Sequence, residues 1–274
     1  CPASNSINDD VALELHLKAP TNATGFKFKF KFYSFEYAEW VCNNFNDQFI
    51  ALMNPAPQGS LNGNISFDAN NNPVSVNIAF FDVCNAANIG DFAQNCNNGG
   101  GTTCPTAPSP YCPNGTTELQ GTGFENDGAT SWLQTTAPVT PGQEFTLRLA
   151  IWDTGDSAYD STVLIDDFEW IATGSVNVGT VSCTSGGTGS CNTCFYQNVQ
   201  STGCCGNEFS ACHNDGQCEN IYTCLSFCNG NAACEAQCPN DFPAGVPLYN
   251  AVTHCLYGDP AVQGSVGACG AVCQ

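Results

Sequence analysis

Twenty cysteines in a chain of 274 residues constrain this protein more than any other feature of its sequence. So many thiols are a liability in a reducing cytosol, and they are typical of exported chains that form disulfides. Six cysteines precede residue 180 and fourteen follow it, so each half can pair its cysteines internally. We therefore predict an extracellular or cell-surface protein with two separately braced domains. The predicted disulfide residues are Cys1, Cys42, Cys84, Cys96, Cys104, Cys112, Cys183, Cys191, Cys194, Cys204, Cys205, Cys212, Cys218, Cys224, Cys228, Cys234, Cys238, Cys255, Cys269 and Cys273.

Strand patterns dominate the first domain. In residues 26–32 a phenylalanine falls on every second position with a lysine between, and residues 11–17 and 145–151 alternate in a similar way. A period of two buries one face of a strand and leaves the other face to solvent. Several short strands separated by Gly, Pro and Asn clusters predict a mainly β domain over residues 1–173, an antiparallel β-sandwich of the jelly-roll type.

Two polar segments interrupt these patterns. Residues 84–112 are rich in Asn, Gly, Thr and Pro and cannot form a core, so we expect a loop clipped by disulfides. Residues 174–190 are rich in Gly, Ser and Thr and are interpreted as a linker. The remaining residues, 191–274, are predicted to form a small, mostly α-helical, cysteine-rich domain.

The cysteine spacing in this second domain predicts a helical hairpin. Cys224 and Cys228 are four residues apart, as are Cys234 and Cys238, which places each pair on one face of a helix. The intervening Asn-Gly-Asn sequence is typical of a turn, so two cross-helix disulfides could join the helices. A third helix is expected from Pro247 to Tyr257, with a glycine behind it.

The charge balance makes nucleic acid a poor candidate for a partner. Twenty-five carboxylates face five cationic side chains, and such an anionic surface repels nucleic acid and anionic lipid while attracting divalent cations. No apolar run approaches the roughly twenty residues that a transmembrane helix needs. We expect a signal peptide to have been removed before Cys1, and a lipid anchor on Cys1 is the alternative for that residue.

The densest acidic cluster comprises Asp153, Asp156 and Asp160, followed by Asp166 and Asp167 in an apolar strand. Carboxylates this close repel one another, and a calcium ion that accepts six to eight oxygens relieves the repulsion. The spacing matches no EF-hand loop. A solvated turn without metal is the alternative interpretation.

Two separated motifs resemble signatures of the choice-of-anchor L domain family. Residues 35–49, FEYAEWVCNNFNDQF, are similar to its acidic-aromatic EEYPEYVC segment followed by FND, with Phe35 or Ser34 at the first glutamate. Residues 149–165, LAIWDTGDSAYDSTVLI, resemble its LAIxDxxDxxxDSxV segment. The resemblance covers roughly residues 5–172 and implies a β-sandwich of secreted bacterial proteins that are often attached to the cell surface. The cysteine-rich tail faintly resembles tails on exported myxobacterial proteins.

If the two signatures lie together in the fold, they would form one calcium site. Its candidate ligands are Glu36, Asp47, Asp153, Asp156, Asp160 and Asp166.

Catalytic interpretations find less support. Asp153-Thr154-Gly155 resembles the Asp-Thr-Gly motif of aspartic proteases, which need two facing carboxylates, but the motif has no second copy. The three histidines form no HExxH motif, and no GxSxG elbow occurs. Cys191-x-x-Cys194 is followed by Phe195 rather than histidine, so no haem is expected.

The sequence therefore predicts a non-catalytic, calcium-binding extracellular surface protein for adhesion or structural assembly, for example a subunit of a filament or coat. Its partners would be further copies of itself or a cell-surface protein or glycan. A carbohydrate-binding module is the first alternative, with exposed rings among Trp40, Trp132, Trp152, Trp170, Tyr33, Tyr37 and Tyr159. A secreted hydrolase with two convergent carboxylates is the second.

Overall fold

The computed structural model describes residues 6–41, 45–77, 80–88, 112, 114–172, 176–183, 191–199, 204–258, 260 and 268–269. The chain divides into two compact units, Cys1–Ser182 and Cys183–Gln274, which are called the sandwich unit and the helical unit below.

The described residues of the sandwich unit form ten strands in two antiparallel sheets. The strands are β1 (Ile7–Lys18), β2 (Gly25–Ser34), β3 (Gln48–Asn54), β4 (Val74–Ser75), β5 (Phe81–Cys84), β6 (Gly128–Thr130), β7 (Leu133–Pro138), β8 (Glu144–Thr154), β9 (Ser161–Ile171) and β10 (Gly179–Ser182). The first sheet has the order β1-β8-β3-β4, and the second has the order β10-β7-β2-β6-β5. Strand β9 pairs with β2 along the edge opposite to β7.

Aromatic rings from β2 form the centre of the core between the sheets. Phe26, Phe28, Phe30 and Phe32 are all buried, as the alternating pattern predicts. The Phe30 ring lies 4.6 Å from that of Phe49 on β3, and the Phe26 ring lies 5.5 Å from that of Phe145 on β8. The predicted antiparallel β-sandwich followed by a helical, disulfide-rich region is confirmed.

Simple alternation predicts that the lysines between these rings are exposed to solvent, but the structure covers them. Lys27 and Lys31 are buried, and Lys31 pairs with Glu118 from the 3₁₀ turn Thr117–Leu119. The Lys29 ammonium lies 2.8 Å from the Asp167 carboxylate on β9. The outer face of β2 is therefore covered by ion pairs from neighbouring segments, because β2 is a central strand.

Described residues of both polar segments take part in defined structure. Cys84 and Cys112 form a disulfide, as expected for the clipped loop, while Cys96 and Cys104 lie outside the described residues. Part of the interpreted linker 174–190 is strand: Gly179–Ser182 is β10 and pairs with β7. The Thr180 hydroxyl lies 2.8 Å from that of Thr135, so side-chain pairing stabilises a segment whose composition alone is typical of a flexible linker.

The helical unit contains α1 (Cys191–Asn198), α2 (Gly206–His213), α3 (Gly216–Cys228), α4 (Ala232–Asp241) and α5 (Val246–Tyr257). Asp215 and Asn231 accept backbone N–H groups at the starts of α3 and α4, which is the usual capping role of these residues. Asn229 adopts a left-handed conformation between the two helices. Helix α5 has Pro247 in its first turn and ends at Tyr257 with Gly258 behind it, as predicted.

Disulfides connect these helices. Cys224–Cys238 and Cys228–Cys234 join α3 to α4, which confirms the predicted hairpin. The other bridges between described cysteines of this unit are Cys183–Cys204, Cys194–Cys269, Cys205–Cys255 and Cys212–Cys218. Cys191 is also disulfide-bonded, whereas Cys1, Cys42 and Cys273 lie outside the described residues. In the described part of the chain, no helix combines the length and apolar character required to cross a bilayer.

Candidate functional site

Hydrogen bonds bring the two signature segments together at one end of the sandwich. The Asn46 backbone N–H donates to Thr154 Oγ1 at 3.1 Å, and that hydroxyl donates back to the Asn46 carbonyl at 2.9 Å. The Phe35 backbone N–H donates to the Asp160 carbonyl at 3.4 Å. The turn after β2 therefore lies against the end of β8 and the start of β9.

Three carboxyl groups are buried where these segments meet. Glu36, Asp47 and Asp153 are 2 %, 0 % and 6 % exposed. The Asp47 backbone N–H donates to Glu36 Oε2 at 3.2 Å, and the Asp47 carboxyl group lies within hydrogen-bonding reach of those of Glu36 and Asp153. We call this group the carboxyl cluster. The neighbouring charges that act most strongly on Glu36 and Asp153 are those of other carboxylates.

Only part of the cluster receives hydrogen bonds. The hydroxyls of Ser34 and Ser161 both donate to Asp47 Oδ2. Asp47 Oδ1 and Asp153 Oδ2 are buried and accept no hydrogen bond from an N–H or hydroxyl group of the described residues. An unpartnered buried oxygen of a carboxylate costs free energy unless a proton or a cation compensates it.

Asp82 shows how the same fold satisfies a half-buried carboxylate elsewhere. Its two oxygens accept hydrogen bonds from the Ser131 backbone N–H at 2.6 Å, the Ser131 hydroxyl at 2.8 Å and the Asn114 amide at 3.0 Å. The carboxyl cluster lacks such a set of donors at two of its oxygens. The cluster is therefore suited to a bound cation in a way that Asp82 is not.

Burial and mutual repulsion raise the pKa values of the cluster. Desolvation, followed by the charge of Asp47, raises the pKa of Glu36 to about 9. The same two causes raise the pKa of Asp153 to about 7, and burial raises the pKa of Asp47. Without a cation, the cluster therefore holds protons at neutral pH that isolated carboxylates would release.

The remaining candidate ligands are placed differently. Asp160 is exposed but close enough for its charge to raise the pKa of Asp153. Asp156 is also exposed, and its carboxylate accepts the Ala158 backbone N–H at 3.1 Å. Asp166 lies opposite Lys29, five residues along β9 from Ser161, which corresponds to about 16 Å of strand. The structure therefore brings Glu36, Asp47 and Asp153 together, with Asp160 beside them, and separates Asp166 from them.

Sequence reasoning missed three contributors. The hydroxyls of Ser34 and Ser161 hold Asp47 in place, and Asp9 adds to the negative potential at Asp153. Asp9 lies at the irregularity between Asn8 and Val11 of β1, where it has a positive φ of 52°. The Asp9-Asp10 pair interrupts the apolar alternation of this strand. That interruption is the sequence signal that could have identified Asp9 as a contributor.

The only compact set of three metal-ligand atoms in the described residues belongs to Cys224, Cys228 and Cys238, all within 4.8 Å of one another. These sulfurs are in disulfides and offer no thiolate. The ligand atoms of the carboxyl cluster do not all lie within 4.8 Å of one another. Asp47 is its central member, because its carboxyl group is close to both of the others.

Seven aromatic side chains were candidates for a carbohydrate platform. Tyr159 is exposed, Tyr33 and Tyr37 are buried, and the four tryptophans are half-buried. The Trp40 and Tyr159 rings lie 6.4 Å apart at an interplanar angle of 37°. These rings are therefore mainly packing residues of the sandwich.

Comparison with known proteins supports the predicted resemblance. Residues 3–169 match the family model described as the choice-of-anchor L domain, which covers both signature segments but not the helical unit. No curated protein and no solved structure matches the chain. The family and the many disulfides indicate an exported protein located outside the cell or on its surface. Over residues 3–169, the chain belongs to the choice-of-anchor L domain family.

Proposed function

We propose that this exported protein is a non-catalytic, calcium-stabilised component of the cell surface that serves adhesion or structural assembly, for example in a filament or coat. The observation that carries the calcium site is the pair of buried, unpartnered oxygens, Asp47 Oδ1 and Asp153 Oδ2. Calcium bound there would link the turn after β2 to the end of β8. The ion would thus fix the end of the sandwich at which both family signatures meet.

The chemistry of the donors favours calcium over softer metals. The cluster offers carboxylate and hydroxyl oxygens from Glu36, Asp47, Asp153, Ser34 and Ser161. Calcium accepts six to eight oxygens in irregular arrangements, whereas zinc prefers nitrogen and sulfur ligands. Asp47 and Asp153 would bind the ion directly, and Asp160 would contribute charge at its exposed side.

Burial weighs against the hydrolase alternative. Two convergent carboxyl groups with raised pKa values are what a glycosidase or an aspartic protease uses. A substrate must also reach them, however, and Asp47 is fully buried while Glu36 is 2 % exposed. A small ion could occupy this position where a sugar ring or a peptide could not.

The test is a thermal melt of the oxidised, full-length protein in chelator and in about 10 mM calcium, which exceeds the Kd range of extracellular calcium modules. A ligand at about 100 times its Kd stabilises the folded state by about 2.7 kcal/mol. For a domain of this size, we expect Tm to rise by about 5–10 °C. Because all four tryptophans are in the sandwich unit, their fluorescence follows the relevant transition.

Matched variants separate calcium binding from general damage. Asp47→Asn should abolish the calcium response yet melt no lower than the parent in chelator, because it removes an uncompensated charge. Asp156→Asn, at an exposed position, should keep the full response. A parent protein with the same Tm in calcium and in chelator would falsify the calcium site, and so would an Asp47→Asn variant that still responds.

A further inference from the structure

Strand β1 exposes apolar side chains along an open sheet edge. It is twelve residues long and is the end strand of the first sheet. Ile7, Val11 and Leu13 are 61 %, 66 % and 52 % exposed. A long edge strand with apolar side chains presents unpaired backbone groups and is a ready template for another strand.

The exposure arises because β1 extends past the second sheet. Leu13 lies opposite Leu149, and Val11 lies opposite Ile151, so these side chains project toward the core side of the sheet. Leu149 is nevertheless buried while Leu13 is not.

Ring contacts show which strands face each other across the core. Trp170 of β9 meets Phe145 of β8 at 6.1 Å, and Phe30 of β2 meets Phe49 of β3 at 4.6 Å. Among the described strands, β9 is the last of the second sheet on this side, so β1, which lies beyond β8, has no strand facing it. On β9 itself, Ile165 and Phe168 are 41 % and 38 % exposed.

The order of charges along β1 indicates what could pair with it. The polar face carries Asp10 near the N-terminal end, Glu14 just past the middle, and His16 and Lys18 toward the C-terminal end. Within one copy, the Arg148 guanidinium lies 3.5 Å from Asp10 and 4.0 Å from Glu14, which places both acids on that face. An antiparallel copy of the same strand sets the basic end of one against the acidic end of the other, whereas a parallel copy sets like charges together.

We propose that β1 pairs antiparallel with β1 of a second copy, with Leu13 opposite its own equivalent. In this register, Val11 lies beside Leu15 of the second copy, and Asp10 lies beside His16 of the second copy. The first sheets of the two molecules then form one continuous sheet about a two-fold axis. The inference rests on the proposed role in surface assembly but not on the carboxyl cluster, which supplies no residue to this edge.

The regular part of β1 begins after the irregularity between Asn8 and Val11, so the paired segment is short. Interfaces at the small end of the size range are weak and transient. We therefore expect a dimer with a Kd of about 1–100 μM rather than a permanent complex.

Sedimentation equilibrium of the oxidised full-length chain tests the proposal, at protein concentrations from about 1 to about 300 μM, which span such affinities. We expect a reversible monomer–dimer equilibrium. Leu13→Lys should raise the dimer Kd at least tenfold, because it places two ammonium groups opposite each other at the two-fold axis. The control, Leu164→Lys, changes a residue of similar exposure on β9, 46 % against 52 %, and should leave the Kd unchanged.

Two outcomes overturn the proposal: a monomer at every concentration, or an unchanged Kd in Leu13→Lys. If Leu13→Lys also lowers Tm, His16→Glu decides the point. The His16 side chain is 77 % exposed, and in the proposed register a glutamate there lies beside Asp10 of the second copy, so it should raise the dimer Kd without lowering Tm. Each measurement is made in calcium and in chelator. A calcium-dependent Tm without dimerisation contradicts the β1 pairing alone. Dimerisation without a calcium response contradicts the calcium site alone.

Discussion

The sandwich unit and the helical unit fill their interiors with different chemistry. In the sandwich, the buried apolar side chains are mostly aromatic and aliphatic, with Phe26, Phe28, Phe30 and Phe49 at the centre. In the helical unit, cysteines take most of the buried apolar positions, and Ile221, Val252 and Leu256 are the main aliphatic side chains among them. Six of the seven bridges between described cysteines lie in this second unit.

The difference follows from size and composition. A small unit with few aliphatic residues buries too little apolar surface to offset the entropy of folding, so cross-links that restrict the unfolded chain must contribute. The sandwich unit is larger and has a continuous core, which can hold its shape largely by burial. Stability in one unit should therefore depend on redox conditions, and in the other on packing and on the ionisation of buried groups.

Complete reduction should produce the largest effect. A bridge contributes about 2–4 kcal/mol, so the loss of several exceeds the 5–15 kcal/mol stability of a typical domain. With a phosphine reductant under native conditions, we expect the helical circular dichroism signal at 222 nm to collapse. Tryptophan fluorescence should stay native, because all four tryptophans are in the sandwich unit.

The control is the oxidised protein treated with alkylating agent alone, which should change neither signal. Loss of both signals on reduction would contradict the proposed difference between the units, since the sandwich would then also depend on its disulfides. Helices that survive reduction would contradict it as well.

The sequence predicted the features that local spacing determines. The alternation in residues 26–32 identified the central strand, and the four-residue spacing of Cys224 and Cys228 identified the helical hairpin. It did not predict the burial of Lys27 and Lys31, because a period of two shows which side chains share a face but not what covers it. Strand β10 was also missed because of a contact with a distant segment, since pairing with β7 stabilises it.

The candidate site was predictable only in part. Asp153 was named from an acidic cluster, and Glu36 and Asp47 were added because two motifs resembled one family. The fold brings the three together. Asp166 was named because a carboxylate in an apolar strand needs a partner, but the register of β9 on β2 leaves it exposed, where it accepts the Asp167 backbone N–H. Pairing register between distant strands depends on the whole sheet and cannot be derived from spacing within one segment.

The second prediction separates the units by pH. The pKa of Glu36 is about 9 in the folded state against an ordinary value of 4.5. Between these values the folded state keeps a proton that the unfolded state releases, so the free energy of unfolding falls as pH rises. Each pKa unit corresponds to about 1.4 kcal/mol, so in chelator we expect a loss of at least about 3 kcal/mol between pH 5 and pH 9.

Denaturant titrations followed by tryptophan fluorescence measure this loss in the sandwich unit. Glu36→Gln should flatten the decline, whereas Glu144→Gln, at a side chain that is 80 % exposed, should leave it unchanged. The circular dichroism transition of the helices should move little, because burial raises the pKa values of Tyr222, Tyr249 and Tyr257 further above this range. Equal pH slopes in the two units, or an unaltered slope in Glu36→Gln, contradict the prediction.

The smallest expected effect concerns the outer face of β2, where the sandwich departs from purely apolar packing. The Lys31 side chain is 2 % exposed and pairs with Glu118, whereas Lys18 is 67 % exposed and lies 4.0 Å from Glu144. Glu118→Gln leaves a buried ammonium without its carboxylate and should cost about 1.5–3 kcal/mol, the range of hydrogen bonds to charged groups. Glu144→Gln should cost less than about 0.5 kcal/mol.

Replacing both members of the buried pair then separates the contribution of charge to the free energy of unfolding from that of packing. If the cost of Glu118→Gln comes from the uncompensated ammonium, adding Lys31→Met should recover most of it, since an apolar side chain of similar length has no charge to desolvate. If the double variant is instead less stable than Glu118→Gln alone, the ion pair itself stabilises this face. The sandwich would then depend on specific polar contacts, as the helical unit depends on specific disulfides. Only the core between the sheets would then distinguish the sandwich unit from the helical unit in how it is stabilised.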